Sequence, residues 1–496
     1  MDRTKRLLAL YLSSIIIGAG ILALPLKAAR IGLIPMIILT IFFGYFFYEA
    51  YKRIIEASIG IEGHIDLSTY DKVLERASLG KAARISLEYG MILYIVPADV
   101  VYTLFSASRY VKLSELSRDS RGFLLYFILS AIIGYLIAIA MMRHEKASKF
   151  FALLATRSLS VLILYALKLS YRAALALGSV LFMLTMLVGE YFPEYFVGEP
   201  EEITIKEGEI HPRHYVAAIY TIFKILFVLG IAFFSFLVVL YYRALPKDIL
   251  YSSRDSIVIL SGIGVTAFAF VGTGVYNIVM YDRLRRGDKR RGILALGTLI
   301  PAFLYLTFTG LMVFSVDRSL LIEADRSMEP SLLALAEKLE SLGISISTGL
   351  LIGLAGIFTL LAVSMSYLGF TDTLGGRMER YLGRYSLSRF LSSLSATIIA
   401  LIIVLLSPEL SATGVLDIAG SSGGILFLLF LPFLFLRKRR DLIYALTALS
   451  LIFLANLPAI IAGSLIERLT ALISSSIALA LGILTLLEYR GERFLS

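Results

Sequence analysis

Residues 7–29 read LLALYLSSIIIGAGILALPLKAA, an apolar run with glycines at its middle. At the helical rise of about 1.5 Å per residue, a run of this length crosses a hydrocarbon core about 30 Å thick. The run is too long for a cleaved signal peptide, and its far end carries Lys27 and Arg30 rather than a small-residue cleavage site. We therefore predict that this stretch is the first transmembrane helix.

Similar runs recur along the whole chain of 496 residues, of which 58% are hydrophobic and 17% are charged. The mean hydropathy of +0.83 is higher than a soluble core can accommodate. Alternating ten-residue patterns are too few for an outer-membrane barrel, so we predict an all-α polytopic membrane protein with about 12–14 transmembrane helices. The predicted spans lie near residues 7–29, 32–56, 86–110, 122–142, 151–169, 173–192, 215–242, 257–282, 293–316, 347–370, 389–407, 413–436, 441–463 and 469–488.

Basic residues set the predicted orientation. If the N-terminus is cytoplasmic, alternating spans place most of the 47 Lys and Arg residues on the cytoplasmic side, as the positive-inside rule requires. The predicted cytoplasmic clusters are Lys52-Arg53, Arg143 with Lys146 and Lys149, Arg283 to Arg291, Arg377 with Arg380 and Arg384, and Arg437 to Arg440. We expect a multi-pass protein of the cytoplasmic membrane with both termini in the cytoplasm. Because the charge of +10 lies in short loops beside the lipid bilayer, we expect no nucleic-acid partner.

Two of the predicted spans are interrupted by glycine near the middle of the bilayer, at Gly18-Ala19-Gly20 and at Gly272-Thr273-Gly274. Unwound backbone at that depth is tolerated only where it lines a cavity, and the freed N–H and C=O groups can then bind a ligand. On the predicted topology the two spans run in opposite directions, as corresponding helices of inverted repeats do. A half-helix N-terminus suits a carboxylate, so a small zwitterion fits better than a bare cation. The alternative is that these glycines only permit close helix packing.

Ionisable residues inside spans are functional candidates because burying a charge in a membrane is costly. Lys224 lies about 14 Å into its span, near the midplane, where its ammonium could replace a co-transported cation and exchange a proton. The alternative is a lysine that snorkels to the cytoplasmic surface. Asp99 is comparably deep, and Asp417 lies early in its span. For both aspartates the alternative is structural pairing or a hydrated cavity.

A sodium site is a second way to couple transport to an ion. The hydroxyls of Thr359, Ser364 and Ser366 could bind Na⁺ together with carbonyls freed near Gly18, since hard cations take oxygen ligands. Such hydroxyls also commonly bond to their own helix.

Several stretches resemble one known transporter family. They are Ile17-Gly-Ala-Gly-Ile-Leu-Ala-Leu-Pro25, Ala267-Phe-Ala-Phe-Val-Gly272, the basic loop Arg283 to Arg291, Gly297-Thr-Leu-Ile-Pro301, Phe223-Lys-Ile-Leu-Phe227, Leu368-Gly-Phe-Thr-Asp372, and Gly420 with Gly424 and Pro432. Together they resemble, in order, helices of the amino acid/auxin permease family within the amino acid-polyamine-organocation superfamily.

The resemblance implies an inverted five-helix-repeat fold of the leucine-transporter type, with extra helices. We expect a first repeat over residues 1–250, with a helix pair inserted within 122–192. A second repeat is expected over 251–436, followed by peripheral helices over 437–496.

The resemblance also implies proton- or sodium-coupled amino acid uptake by alternating access, with no cofactor beyond the co-transported ion. It implies substrate contacts at Gly18, Ala19, Gly20, Phe270, Gly272, Thr273 and Gly274. Relatives that use protons carry a lysine at the position of Lys224, which favours H⁺ as the coupling ion. Asp99, Ser364 and Ser366 are the further ion-coupling candidates, with Gly18, Ser364 and Ser366 as the Na⁺ alternative.

Other classes fit the sequence less well. Gly420-Ser-Ser-Gly423 matches the motif of intramembrane serine proteases, but all four histidines precede it and lie in predicted loops. The chain has no cysteine, no H-E-x-x-H and no Walker A motif, so we do not expect an enzyme. An ion channel would be distinguished by flux that neither saturates nor depends on a co-ion gradient.

Overall fold

The structure is a computed structural model of the chain. It describes residues 10, 13, 16–18, 20–58, 67–119, 121–142, 145–197, 222, 225–231, 235–236, 238, 256–271, 290–343, 363, 366–367, 370–371, 374–375, 377–379, 382–383, 385–406, 410–436 and 438–495.

Helices and the turns between them make up the described residues, which confirms the all-α class. The helices are α1 (Gly20–Ile31), α2 (Leu33–Ser58), α3 (Leu67–Arg76), α4 (Lys81–Asp119), α5 (Arg121–Ala140), α6 (Glu145–Leu167), α7 (Tyr171–Val197), α8 (Ser256–Leu260), α9 (Gly262–Val271), α10 (Arg290–Ser315), α11 (Arg318–Arg326), α12 (Ser331–Ser341), α13 (Tyr385–Leu406), α14 (Ala412–Ile418), a π-helix (Ala419–Phe430), α15 (Leu431–Leu434), α16 (Arg439–Ala462) and α17 (Leu465–Leu495).

Nine helices within this described part are long and apolar enough to cross a membrane, so the chain is a multi-pass membrane protein. Most match the predicted spans within a few residues. The helix predicted over 86–110 runs instead over Lys81–Asp119, because its polar ends continue the helix beyond the apolar stretch. The spans predicted near 215–242 and 347–370 lie mostly outside the described residues.

The chain divides into two compact units. Unit 1 comprises residues 1–98, 212–343 and 409–496, and unit 2 comprises 99–211 and 344–408. Both units are therefore discontinuous in sequence. The predicted repeat boundaries at 250 and 436 concern internal symmetry, which is a separate property, and they stay a prediction.

Close helix contacts organise unit 1. Gly32, with a φ of 94°, allows the chain to reverse between α1 and α2. Helix α9 packs directly on the segment that contains α14 and the π-helix. A β-carbon on Gly420 would overlap the carbonyl oxygen of Gly264, so the two backbones touch. Glycine at these two positions thus permits close packing of the helices.

Unit 2 contains α5, α6 and α7, which pack in sequence order, and α13, which packs on α7. Hydroxyl pairs cross these helices at Ser130–Ser158 (2.7 Å) and Ser160–Thr185 (3.3 Å). Such interhelical hydroxyl bonds satisfy polar side chains where no bulk water is present.

Candidate functional site

The first span is broken where its glycines predict a break. Ile17 and Gly18 are not helical, and α1 begins at Gly20. The Gly18 N–H donates to the Ile16 carbonyl at 2.9 Å, two residues back instead of four, and the Ile21 N–H reaches the Gly18 carbonyl only at 3.4 Å. These residues are buried, so backbone groups at the break depend on partners inside the protein. Ala19 lies outside the described residues.

The start of α1 rests against α9. A β-carbon built on Gly20 would lie 2.6 Å from the Cα of Ala269, which leaves no room for a side chain. The described part of α9 runs to Val271, the residue before the second predicted break. Gly272, Thr273 and Gly274 themselves lie outside the described residues. The two glycine-containing spans predicted to form the site are therefore direct neighbours in unit 1.

Tyr305, from α10, joins these two elements. Its hydroxyl lies 2.6 Å from the carbonyl oxygen of Ile16 and 2.7 Å from that of Ala269. A tyrosine hydroxyl has one proton, so it can donate to only one of the two carbonyls at a time. The two carbonyls thus share the Tyr305 proton, and the Ile16 carbonyl also accepts from the Gly18 N–H.

Tyr51, from α2, makes the corresponding contact at the end of α9. Its hydroxyl lies 2.7 Å from the Phe270 carbonyl and 2.9 Å from the Val271 carbonyl. The carbonyls of Phe270 and Val271 thus accept hydrogen bonds from a side chain of another helix. Both tyrosines are fully buried, so neither hydroxyl exchanges this contact for bulk water.

The ring of Phe270 is held by unit 1 itself. It packs edge-on against Tyr305 with ring centroids 5.3 Å apart, and it stacks on Phe47 at 6.4 Å. A β-carbon on Gly44 would lie 3.4 Å from the same ring. These contacts fix the last turn of α9 against α2 and α10. The predicted substrate contact at Phe270 stays a prediction.

A buried ion pair links the far end of α1 to α14 and α9. The Lys27 ammonium lies 2.6 Å from Asp417 Oδ2, and the backbone N–H of Val265 donates to Asp417 Oδ1 at 2.9 Å. Their side chains are 5% and 19% exposed. Asp417 is therefore structurally paired in this geometry, which is the alternative that the sequence left open for it. A cavity of about 330 Å³ lies beside the pair, with Asn456 and Glu467 in its wall.

A second buried carboxylate, that of Asp325, holds helix α11 against the same end of α1. Asp325, in α11, accepts hydrogen bonds from the Thr413 N–H and hydroxyl, both at 2.8 Å. It also pairs with Arg30 at 2.6 Å. Arg318 donates to the Ala29 carbonyl at 2.8 Å. The end of α1 is thus held by charged contacts, whereas the break at Gly18 is held by the Tyr305 hydroxyl.

The ion-coupling candidates have separate outcomes. Lys224, Ser364 and Thr359 lie outside the described residues. Ser366 is helical and buried in unit 2, whereas Gly18 belongs to unit 1. Asp99 is buried in unit 2 with 1% of its surface exposed. Their roles in ion binding stay predictions.

Tyr51 and Tyr305 were not identified from the sequence. A buried tyrosine needs a partner for its hydroxyl, which could have marked both as candidates. The chain has 28 tyrosines, however, and residue type does not distinguish the two that meet a helix break.

No family model matches the chain, and no curated protein matches it. Among solved structures, the chain is similar to MhsT in complex with L-phenylalanine, with a TM-score of 0.46, 14% identity, and 99% of each chain covered. It is also similar to a mutant of the Eremococcus coleocola manganese transporter, with a TM-score of 0.44, 15% identity, and 98% of this chain and 95% of that chain covered. Likenesses of this size assign neither a substrate nor a coupling ion.

Proposed function

We propose that this chain is a secondary active transporter, a symporter for amino acids in the cytoplasmic membrane. The observation that carries the proposal is the break at Ile17 and Gly18, buried within a bundle of membrane-spanning helices and packed on α9. Non-helical backbone at membrane depth is retained where it serves a ligand. In this proposal the broken span and α9 belong to two inverted repeats, which move against the other helices to give alternating access.

An amino acid matches the two kinds of backbone group at the break. The amino end of α1 at Gly20 and Ile21 supplies N–H donors and partial positive charge, which suit a carboxylate. The carbonyls of Ile16 and Ala269 share the single proton of Tyr305, and in this proposal a lone pair left at these carbonyls accepts a hydrogen bond from a ligand's ammonium group. Donors and acceptors at one break fit a zwitterion better than an ion of one sign.

The coupling ion in this proposal is H⁺, with Lys224 as the residue that exchanges it. A lysine near the membrane midplane supports this choice, because a lysine can hold and release a proton where a bound cation would otherwise sit. The alternative is Na⁺, bound by Gly18, Ser364 and Ser366. We place both termini in the cytoplasm.

The proposal predicts saturable accumulation of at least one amino acid. The purified protein would be reconstituted into proteoliposomes and offered a panel of radiolabelled amino acids, with a pH gradient and a sodium gradient imposed separately. Accumulation driven by the pH gradient is expected in the intact protein, and its loss is expected in Lys224→Gln. Sodium dependence would move the coupling site to Ser364 and Ser366, and accumulation of no amino acid would contradict the proposed substrate class.

A variant at the break locates this uptake on the structure. Gly20→Ala pushes a methyl group into Ala269, so we expect uptake to fall by about tenfold or more, equivalent to about 1.4 kcal/mol. Gly310→Ala is the matched control, because a β-carbon there has no neighbour within 4 Å. Equal uptake by both variants would show that the contact between α1 and α9 does not matter for transport.

A further inference from the structure

Unit 2 contains a carboxylate that none of the contacts described above uses. Asp99 lies midway along the span Lys81–Arg118 and is 1% exposed. Within the described part of the chain, its Oδ1 atom has no hydrogen-bond partner. A buried carboxylate oxygen left without a donor is costly, and at membrane depth the cost is greater.

The hydroxyl of Tyr367 is a polar neighbour of this carboxylate. Tyr367 is fully buried, it lies close enough to Asp99 to interact with it electrostatically, and the hydroxyls of Thr103, Ser393 and Thr397 are its other polar neighbours. Like Asp99 Oδ1, the Tyr367 hydroxyl has no hydrogen bond of good geometry to the described residues.

The cluster has more acceptors than donors. The Thr103 hydroxyl donates its proton to the backbone carbonyl of Asp99 at 2.8 Å. The Thr397 hydroxyl donates its proton to the backbone carbonyl of Ser393 at 3.0 Å. Both hydroxyls therefore offer only lone pairs to the cluster. The pocket around this carboxylate therefore has many acceptors and few donors. To balance them it needs either a positive charge or a proton on the carboxylate.

No lysine, arginine or histidine supplies that charge within the described residues, where the ion pairs do not include Asp99. On the part of helix α4 that follows Asp99, the nearest charged residue is Arg109, about 15 Å away along the helix axis. The tyrosine ring that faces the cluster packs edge-on against Phe182, with centroids 5.1 Å apart. The described surroundings offer no counter-charge and so oppose an ionised carboxylate.

We propose that Asp99 is a proton-binding site, protonated in this conformation and deprotonated in another state of the transport cycle. The protonated acid becomes a donor and meets the acceptor-rich cluster around Tyr367. The proposal that Asp99 loses its proton during the transport cycle rests on the proposed function. The proposal that Asp99 is protonated in this conformation does not. Asp99 and the residues of its cluster all belong to unit 2.

Infrared spectroscopy tests the protonated state directly. Protein labelled with carbon-13 at the aspartate side-chain carboxyl should have a band from a protonated carboxylic acid at neutral pH, shifted by the label. Asp99→Glu keeps a carboxyl group and the fold. Because glutamate does not carry the label, this variant should move the band to the unlabelled position. Asp317→Asn is the control, because Asp317 is 54% exposed and paired with Lys338, and this change should leave the band in place. A labelled band that persists in Asp99→Glu, or no such band at all, would overturn the proposal.

Transport measurements test the cycling. Asp99→Asn mimics the permanently protonated acid, so accumulation driven by a pH gradient should fall about tenfold, a typical size for coupling between two sites, while amino acid exchange continues. Undiminished accumulation in Asp99→Asn would overturn the proton site and leave the symporter proposal intact. If the unaltered protein accumulates no amino acid under any gradient, the symporter proposal fails, and the infrared band still decides the state of Asp99.

Discussion

Replacing Gly420 with alanine is expected to destabilise the protein by about 3 kcal/mol or more, the upper range for inserting a group into a packed interior. The new methyl group would overlap the Gly264 carbonyl oxygen and would lie 2.7 Å from the Phe268 nitrogen. Both obstacles are backbone atoms, which cannot move aside as a flexible side chain can. Helix α9 and the π-helix would have to separate, and the contacts of α9 with the broken first span would weaken.

This change is measured by unfolding of the detergent-solubilised protein, with Gly310→Ala as the matched control. At Gly310 the added methyl group meets nothing within 4 Å, and alanine favours the helix by up to about 1 kcal/mol, so no loss is expected. If Gly420→Ala were as stable as the control, the backbone contact between α9 and the π-helix would be contradicted.

Replacing Arg53 with methionine is expected to cost about 3–5 kcal/mol, because it leaves the buried Asp441 carboxylate without its partner. The Arg53 guanidinium binds Asp441 through two hydrogen bonds, at 3.0 Å and 2.8 Å, and binds Glu49 at 2.9 Å. The side chains of all three are 7% exposed or less. The network ties α2 to the start of α16.

An exposed ion pair provides the comparison. Arg84 lies 2.7 Å from Glu75, but both side chains are at least half exposed, so Arg84→Met should cost about 1 kcal/mol or less. The double variant Arg53→Met with Asp441→Leu should recover part of the loss, because it removes one stranded carboxylate. Equal effects of Arg53→Met and Arg84→Met in an unfolding titration would show that burial does not strengthen the Arg53 network.

The sequence predicted the features that depend on residue type and local spacing. Apolar runs predicted the helices, and the break at Gly18 was predicted because glycine weakens a helix. Lys224, Asp99 and Asp417 stood out because charge is rare inside a membrane span.

Pairings between distant segments could not be predicted in this way. Lys27 and Asp417 are 390 positions apart, and the Tyr305 hydroxyl reaches Ile16 across 289 positions. Such contacts depend on how the helices pack, which one span's composition does not determine. The π-helix from Ala419 to Phe430 is another example, since its glycines equally suit an ordinary packed α-helix.

The central claim, that the break in the first span binds the amino acid, is tested most directly by an experimental structure with the transported amino acid bound at saturating concentration. We expect its carboxylate within about 2.7–3.2 Å of the backbone N–H groups at Gly20 and Ile21, with its ammonium group near the Ile16 or Ala269 carbonyl. An amino acid bound instead in the cavity beside Lys27 and Asp417, with the break unchanged and empty, would contradict the claim.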